Sequence, residues 1–107
     1  MKSLKFRKNL TDMVMNGEKN STWRIFDDKD ISLGDEFVLI VKESGEAFGE
    51  ATVTKVVERP LGGLTQEDKK GHEEFSSDQK MYDTYSGYYD TKVGPDTLIK
   101  IIWFELK

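Results

Sequence analysis

Within one short stretch, Gly17-Glu18-Lys19-Asn20-Ser21-Thr22-Trp23-Arg24, the chain sets an amine, a hydroxyl and a guanidinium side by side. Lys19 could serve as a base and Thr22 as a nucleophile, while Arg24 offers a fixed planar cation suited to a carboxylate or phosphate. Threonine attacks an acyl carbon only if a neighbouring neutral amine takes its proton. Lysine is neutral near pH 7 only where burial or a second cation, here Arg24, disfavours its charge. Each residue also has an ordinary explanation. Threonine is a good strand former, and Lys19 and Arg24 could pair at the surface with Asp27, Asp28 or Asp30, an interaction worth little.

The elements that must position these groups can be read on either side of them. Ser3 to Arg7 reads as a first strand. Asn9 is a candidate N-cap for a short helix with Leu10, Met13 and Val14 on one face, and Gly17 falls where a left-handed C-terminal cap is expected. Asn20 to Ile25 reads as a strand, so alternation directs Thr22 and Arg24 to one face, toward a cavity, and Trp23 to the other. Leu33-Gly34-Asp35 is a turn signal ahead of the apolar run Phe37 to Val41. Ser44-Gly45-Glu46 is a second, pairing Glu36 to Glu43 with Phe48 to Val57 as an antiparallel hairpin. Thr65-Gln66-Glu67-Asp68 signals a brief helix. Ser76-Ser77-Asp78-Gln79 reads as a capping box for a helix carrying Met81, Tyr82, Tyr85 and Tyr89, and Thr97 to Phe104 closes as a buried strand. The order is strand, helix, about four strands, two short helices and a final strand. That predicts one α+β domain over residues 1–107, a small mixed β-barrel of about five or six strands with two or three short helices.

Composition narrows the chemistry. At 107 residues the chain can bury a core without a staple, and with no cysteine it has no thiol nucleophile, zinc knuckle or disulfide. No apolar run approaches the roughly 20 residues of a membrane span, so a cytoplasmic protein without a membrane partner is expected. The net charge of −4 argues against a preference for duplex DNA. The charge is uneven, however: residues 1–24 carry 6 basic and 2 acidic side chains, residues 25–50 carry 2 basic and 8 acidic ones. A local basic pocket on an acidic protein suits a nucleotide, a small anion or a single-stranded loop. Lys2, Lys5 and Lys8 read most simply as solvated surface residues.

Together the landmarks resemble the ASCH domain, of the PUA-like superfamily of small β-barrels associated with RNA. The resemblance spans nearly the whole chain: Gly17-x-Lys19-x-x-Thr22-x-Arg24, Leu33-Gly34-Asp35 before a strand, Leu64-Thr65, Gly71-His72-Glu73-Glu74-Phe75-Ser76 before the third helix, and a final strand ending Phe104-Glu105. It implies a PUA-like fold with a polar cleft for RNA, a nucleotide or a modified nucleoside. One small bacterial branch resembles amidohydrolases that remove the acetyl group from N4-acetylcytidine with a Lys–Thr–Glu set. Carried over, that set falls on Lys19, Thr22 and Glu73, with Glu74 as the one-residue alternative. Other ASCH domains resemble nucleic-acid-binding modules or nucleases.

Binding is therefore the first expectation and amide hydrolysis the second; a protein-interaction module is the third. Besides Arg24, the ligand-binding candidates are Trp23, His72, Glu74 and Tyr88. Trp23 and the tyrosines could stack on bases, although Tyr82 and Tyr85 at helical spacing read as packing residues. Glu73 and Glu74 also suit the approach to a helix N-terminus on electrostatic grounds alone. One histidine without a spaced carboxylate pair is a poor metal site. Gly62-Gly63 lacks the context of a phosphate-binding loop. Neither a metal nor a cofactor is expected.

Overall fold

A computed structural model describes residues 2–25, 30–70, 72 and 75–107. The described elements are β1 (Lys2–Phe6), α1 (Lys8–Met15), β2 (Ser21–Arg24), β3 (Glu36–Val41), β4 (Ala47–Pro60), a 3-10 turn at Leu61–Gly63, α2 (Gln66–Lys69), α3 (Asp78–Tyr89) and β5 (Leu98–Leu106). One mixed sheet of order β1-β3-β4-β5-β2 forms a half-barrel. The predicted α+β, PUA-like architecture is thus observed, with five described strands and three α-helices.

β4 makes the curl. This long strand pairs with β3 through its first half and with β5 from Ala51 to Pro60. Its register shifts at both partners, between Leu39 and Ile40 and between Val53 and Lys55. Such irregularities sharpen twist and bend a strand. As β4 bends, the two edge strands swing toward each other: Arg24 Nη2, at the end of β2, donates to the Lys5 carbonyl of β1 at 3.1 Å.

Alternation divides the buried residues between the two faces. Leu4, Phe6, Phe37, Leu39, Val53, Ile102 and Phe104 pack inside the curl with Val14 of α1. Ile99, Ile101 and Trp23 pack on the opposite face against Met81 and Tyr85 of α3. Each buried apolar side chain contributes roughly 1.5–3 kcal/mol, so this double core fixes the register of β2. The Leu33-Gly34-Asp35 turn is held just as firmly. Gly34 takes φ +87°, and the Asp35 carboxylate accepts Ser32 N–H at 2.8 Å and Lys2 Nζ at 2.7 Å. The hydrogen bond from Lys2 holds the Asp35 carboxyl below its ordinary value.

Three local expectations are corrected. Helix α1 is entered through Arg7 without a side-chain cap of its own, not through Asn9. The Glu43 carboxylate caps it from the β3–β4 turn, accepting Lys8 N–H at 2.9 and 3.1 Å. Ser77, not Ser76, caps α3, accepting Lys80 N–H at 3.1 Å; with lysine at the third position there is no reciprocal glutamine bond. Among the described residues three strands, rather than about four, lie between α1 and α2. The Thr65–Asp68 capping box forms as read, aspartate notwithstanding.

Candidate functional site

The turn after α1 delivers Lys19. Gly17 adopts φ +86°, the left-handed cap that lets the chain reverse, and Lys19 N–H then donates to the Met13 carbonyl at 3.0 Å. The Lys19 side chain ends up only 2% exposed, an uncommon burial for an ammonium group. Beyond it β2 carries Thr22, which lies opposite Ile102, and Trp23, opposite Ile101.

Thr22 and Trp23 therefore occupy opposite faces, as alternation predicts, yet both line one cavity of about 260 Å³ with Lys19 and Arg24. The expectation that Trp23 turns away from the cavity is corrected. β2 is an edge strand, so the cleft runs past its edge and takes side chains from both faces. Tyr85, Tyr88 and Tyr89 of α3, Lys5, Phe6 and Arg7 of the β1–α1 segment, Leu10 and Lys42 complete the wall with His72.

His72 lies flat on Trp23, with ring centroids 3.8 Å apart and planes at 11°, and its Nε2 is 3.2 Å from the buried Tyr85 hydroxyl. The Tyr85 ring joins the group with its centroid 6.1 Å from that of Trp23 and its plane at 23°. The Trp23–His72 pair is also a party wall, since both residues line a second cavity of about 520 Å³ beside Lys69, Lys70 and the start of α3. The Lys70 carbonyl helps fix this neighbourhood, accepting the Ser21 hydroxyl at 3.4 Å and the Trp103 indole N–H at 3.2 Å. At the rim, the Arg7 guanidinium sits 4.3 Å over the ring of Tyr88, which is 42% exposed.

The described lining residues carry five basic side chains, Lys5, Arg7, Lys19, Arg24 and Lys42, and no carboxylate. Such a wall attracts anions, and the exposed Tyr88 ring beside it is a π-surface. Of the sequence-predicted residues, the structure brings together Lys19, Thr22, Trp23, Arg24, His72 and Tyr88. Glu73 and Glu74 lie outside the described residues, as do Asp27 and Asp28. Among the described residues no group of three His, Asp or Glu side chains could hold a metal ion, and no helix is long and apolar enough to cross a membrane.

No protein-family model matches the chain, and no curated protein matches its sequence. Solved structures do. It superposes on a protein from Enterococcus faecalis of family DUF984 with a TM-score of 0.75, at 15% identity over 92% of this chain and 67% of that one. The ASCH domain from Lactobacillus crispatus gives a TM-score of 0.66 at 14% identity, over 89% and 68% of the two chains. The chain has an ASCH-like fold. The hypothetical protein PH0355 shares it end to end, with a TM-score of 0.74 at 18% identity and 100% of both chains covered. The likeness is one of fold, and this ASCH-like chain spans about two thirds of the Enterococcus and Lactobacillus chains.

Sequence reasoning missed part of the cleft. Lys5 reads as a solvated lysine and Tyr85 as packing, and Arg7 and Lys42 carry no motif. The available signal was the i, i+2 pair Lys5 and Arg7 on one strand, ahead of the Lys19–Arg24 segment. Tyr85 does pack, and its hydroxyl also reaches His72.

Proposed function

We propose that this ASCH-like chain uses the cleft to bind a nucleotide, a modified nucleoside or a single-stranded RNA element. The observation that carries the reading is one cavity lined by the accessible rings of Tyr88 and Tyr89 together with basic side chains, over a floor of the buried Trp23, His72 and Tyr85 rings. A base has a π-face for the rings, and its sugar-phosphate has charge for the cations. A protein-docking role has less support, because the exposed large apolar side chains Met15, Leu33, Tyr88 and Leu98 fall on four separate segments. Fluorescence titrations test the reading. Single-stranded RNA should bind with a steep salt dependence, a mononucleotide with a shallow one, and duplex DNA more weakly than either; tighter binding to duplex at moderate salt refutes it.

A second reading, amide hydrolysis of N4-acetylcytidine, is favoured by Lys19 and Thr22 sharing one cavity wall while both are buried. In this scheme the neutral Lys19 amine takes the Thr22 hydroxyl proton as the oxygen attacks the acetyl carbon. The cytosine amine leaves with a proton, and water hydrolyses the acetyl-threonine ester. Glu73, or Glu74 in the shifted register, would carry that proton or hold the base. Chromatographic assay of acetylated cytidine tests it: Lys19→Met and Thr22→Val abolish turnover in folded protein, Thr22→Ser retains part, and only one of Glu73→Gln and Glu74→Gln is severe. No turnover by the unaltered protein removes this reading.

A further inference from the structure

Resting on the nucleotide-binding reading, we propose that the ligand is a nucleoside phosphate rather than a neutral nucleoside, its phosphate seated by Lys5, Arg7 and Lys42 at the mouth of the cleft. Four cations outside the cleft pair with carboxylates, Lys2 with Asp35 at 2.7 Å, Arg59 with Asp68 at 3.3 Å, Lys70 with Glu67 at 3.2 Å and Lys107 with Glu36 at 3.0 Å, whereas Lys5, Arg7 and Lys42 line one cavity whose described lining holds no carboxylate. Lys5, Arg7 and Lys42 make no ion pair among the described residues, on a chain with 20 acidic against 16 basic side chains. Three like charges gathered at one opening repel one another, and a phosphate relieves that repulsion.

Their convergence is built by the backbone. Lys5 and Arg7 are two residues apart in extended chain, since Arg7 keeps φ −63° and ψ 146° after β1 ends, and Phe6 between them is buried in the inner core. In the parallel β1–β3 register Phe6 lies opposite Val41, and Lys42 N–H donates to the Phe6 carbonyl at 2.8 Å. Lys42 is thereby brought next to the other two. Stacking on Tyr88 steadies the Arg7 guanidinium by its face and leaves its in-plane N–H groups for a bidentate phosphate. The N-terminus of α1 is not the seat, because Glu43 already accepts Lys8 N–H there. A cavity of about 260 Å³ is small beside typical ligand pockets of roughly 300–1,000 Å³, so a base would fill the interior and leave the phosphate at the rim.

The experiment is calorimetric titration of the full chain at low salt with the four common ribonucleosides, their 5′- and 3′-monophosphates, inorganic phosphate and a single-stranded RNA, with thermal melts to confirm folding. A monophosphate should bind at least about tenfold more tightly than its nucleoside and than inorganic phosphate, as charge-assisted bidentate contacts require. Arg7→Gln combined with Lys42→Gln should cut the monophosphate-to-nucleoside ratio to about twofold or less, whereas Lys80→Gln, an equal change of charge on α3 outside the cleft, should leave it unchanged. Equal affinity for nucleoside and monophosphate, or for monophosphate and inorganic phosphate, overturns the phosphate seat. So does a ratio that survives the double substitution. Single-stranded RNA that binds when no monophosphate does overturns it too and leaves the nucleotide-binding reading standing; failure of every probe removes both.

Discussion

Replacing Asp68 by alanine should destabilise the protein by about 2–3 kcal/mol at pH 7, through the bonds its carboxylate makes. The Asp68 carboxylate is buried and accepts Thr65 N–H at 3.0 Å and Arg59 Nε at 3.3 Å, while Asp68 N–H returns a bond to the Thr65 hydroxyl at 3.1 Å. Alanine leaves the Thr65 N–H and the Arg59 guanidinium without their acceptor. The Thr65 hydroxyl keeps its bond from the backbone N–H of residue 68, so the loss is that of hydrogen bonds to a charged group, about 1.5–3 kcal/mol, with some relief because Arg59 is half-exposed. That loss corresponds to a fall of roughly 10–20 °C in melting temperature for a domain of this size. Asp68→Asn keeps an acceptor for Thr65 and should cost less, about 1 kcal/mol. The pH dependence has a definite sign. Burial by itself raises the Asp68 carboxyl, but the bonds to Thr65 and the Arg59 charge outweigh it and hold the group below its ordinary 3.8. A lowered folded-state value means stability that is present above that range and lost as pH falls through the folded value. The gap between parent and Asp68→Ala should therefore narrow below about pH 4. Urea unfolding between pH 7 and pH 2.5 measures it; a cost under about 0.5 kcal/mol at pH 7, or a gap that widens in acid, refutes the reasoning.

Gly17→Ala should cost about 1–2 kcal/mol, all of it backbone strain, because φ is +86° and an added Cβ meets nothing within 4 Å; Gly17→Asn should recover part of it, as asparagine tolerates this region, and urea midpoints read both. Ile101→Ala removes a fully buried side chain opposite Trp23 and should cost about 2–5 kcal/mol, with a spread set by how far the α3 face collapses into the void; denaturant unfolding measures it.

How much of this was legible in the sequence depended on the range of the interactions involved. Gly17 was readable as a cap because its cause is local: a helix that ends needs a residue tolerant of positive φ. The Thr65–Asp68 box and the alternation along β2 were readable for the same reason. Asn9 was misread because the group that satisfies the α1 N-terminus is Glu43, thirty-five residues along, and no local pattern announces a cap from a distant turn. Ser76 and Ser77 are chemically equivalent caps, and the one-residue choice between them follows from where Met81 and Tyr85 must be buried. Lys5 and Lys42 could not be placed at the cleft from composition, because their meeting depends on the parallel β1–β3 register, a pairing between segments with no shared signal.

The cleft lies where the sheet stops short of closing. The strand order leaves β1 and β2 as edges, and exposed edges are ordinarily a liability because their unpaired backbone groups invite another strand. Here the Arg24 guanidinium answers the Lys5 carbonyl across the gap, so a side chain stands where a ladder bond would close a barrel. Side chains can then enter the gap from both faces of β2, which is why Thr22 and Trp23 share one cavity despite their opposite alternation. Arg24 in this arrangement is both a wall of the site and a brace between the edges, sitting 5.6 Å from the centre of the Phe6 ring as well. An Arg24 substitution would move the edges and the charge together, and a loss of binding could not be assigned to either. Thr22→Val and Thr22→Ser change a hydroxyl at the same wall with little change of volume or strand propensity, and they are the cleaner probes of what the cleft does.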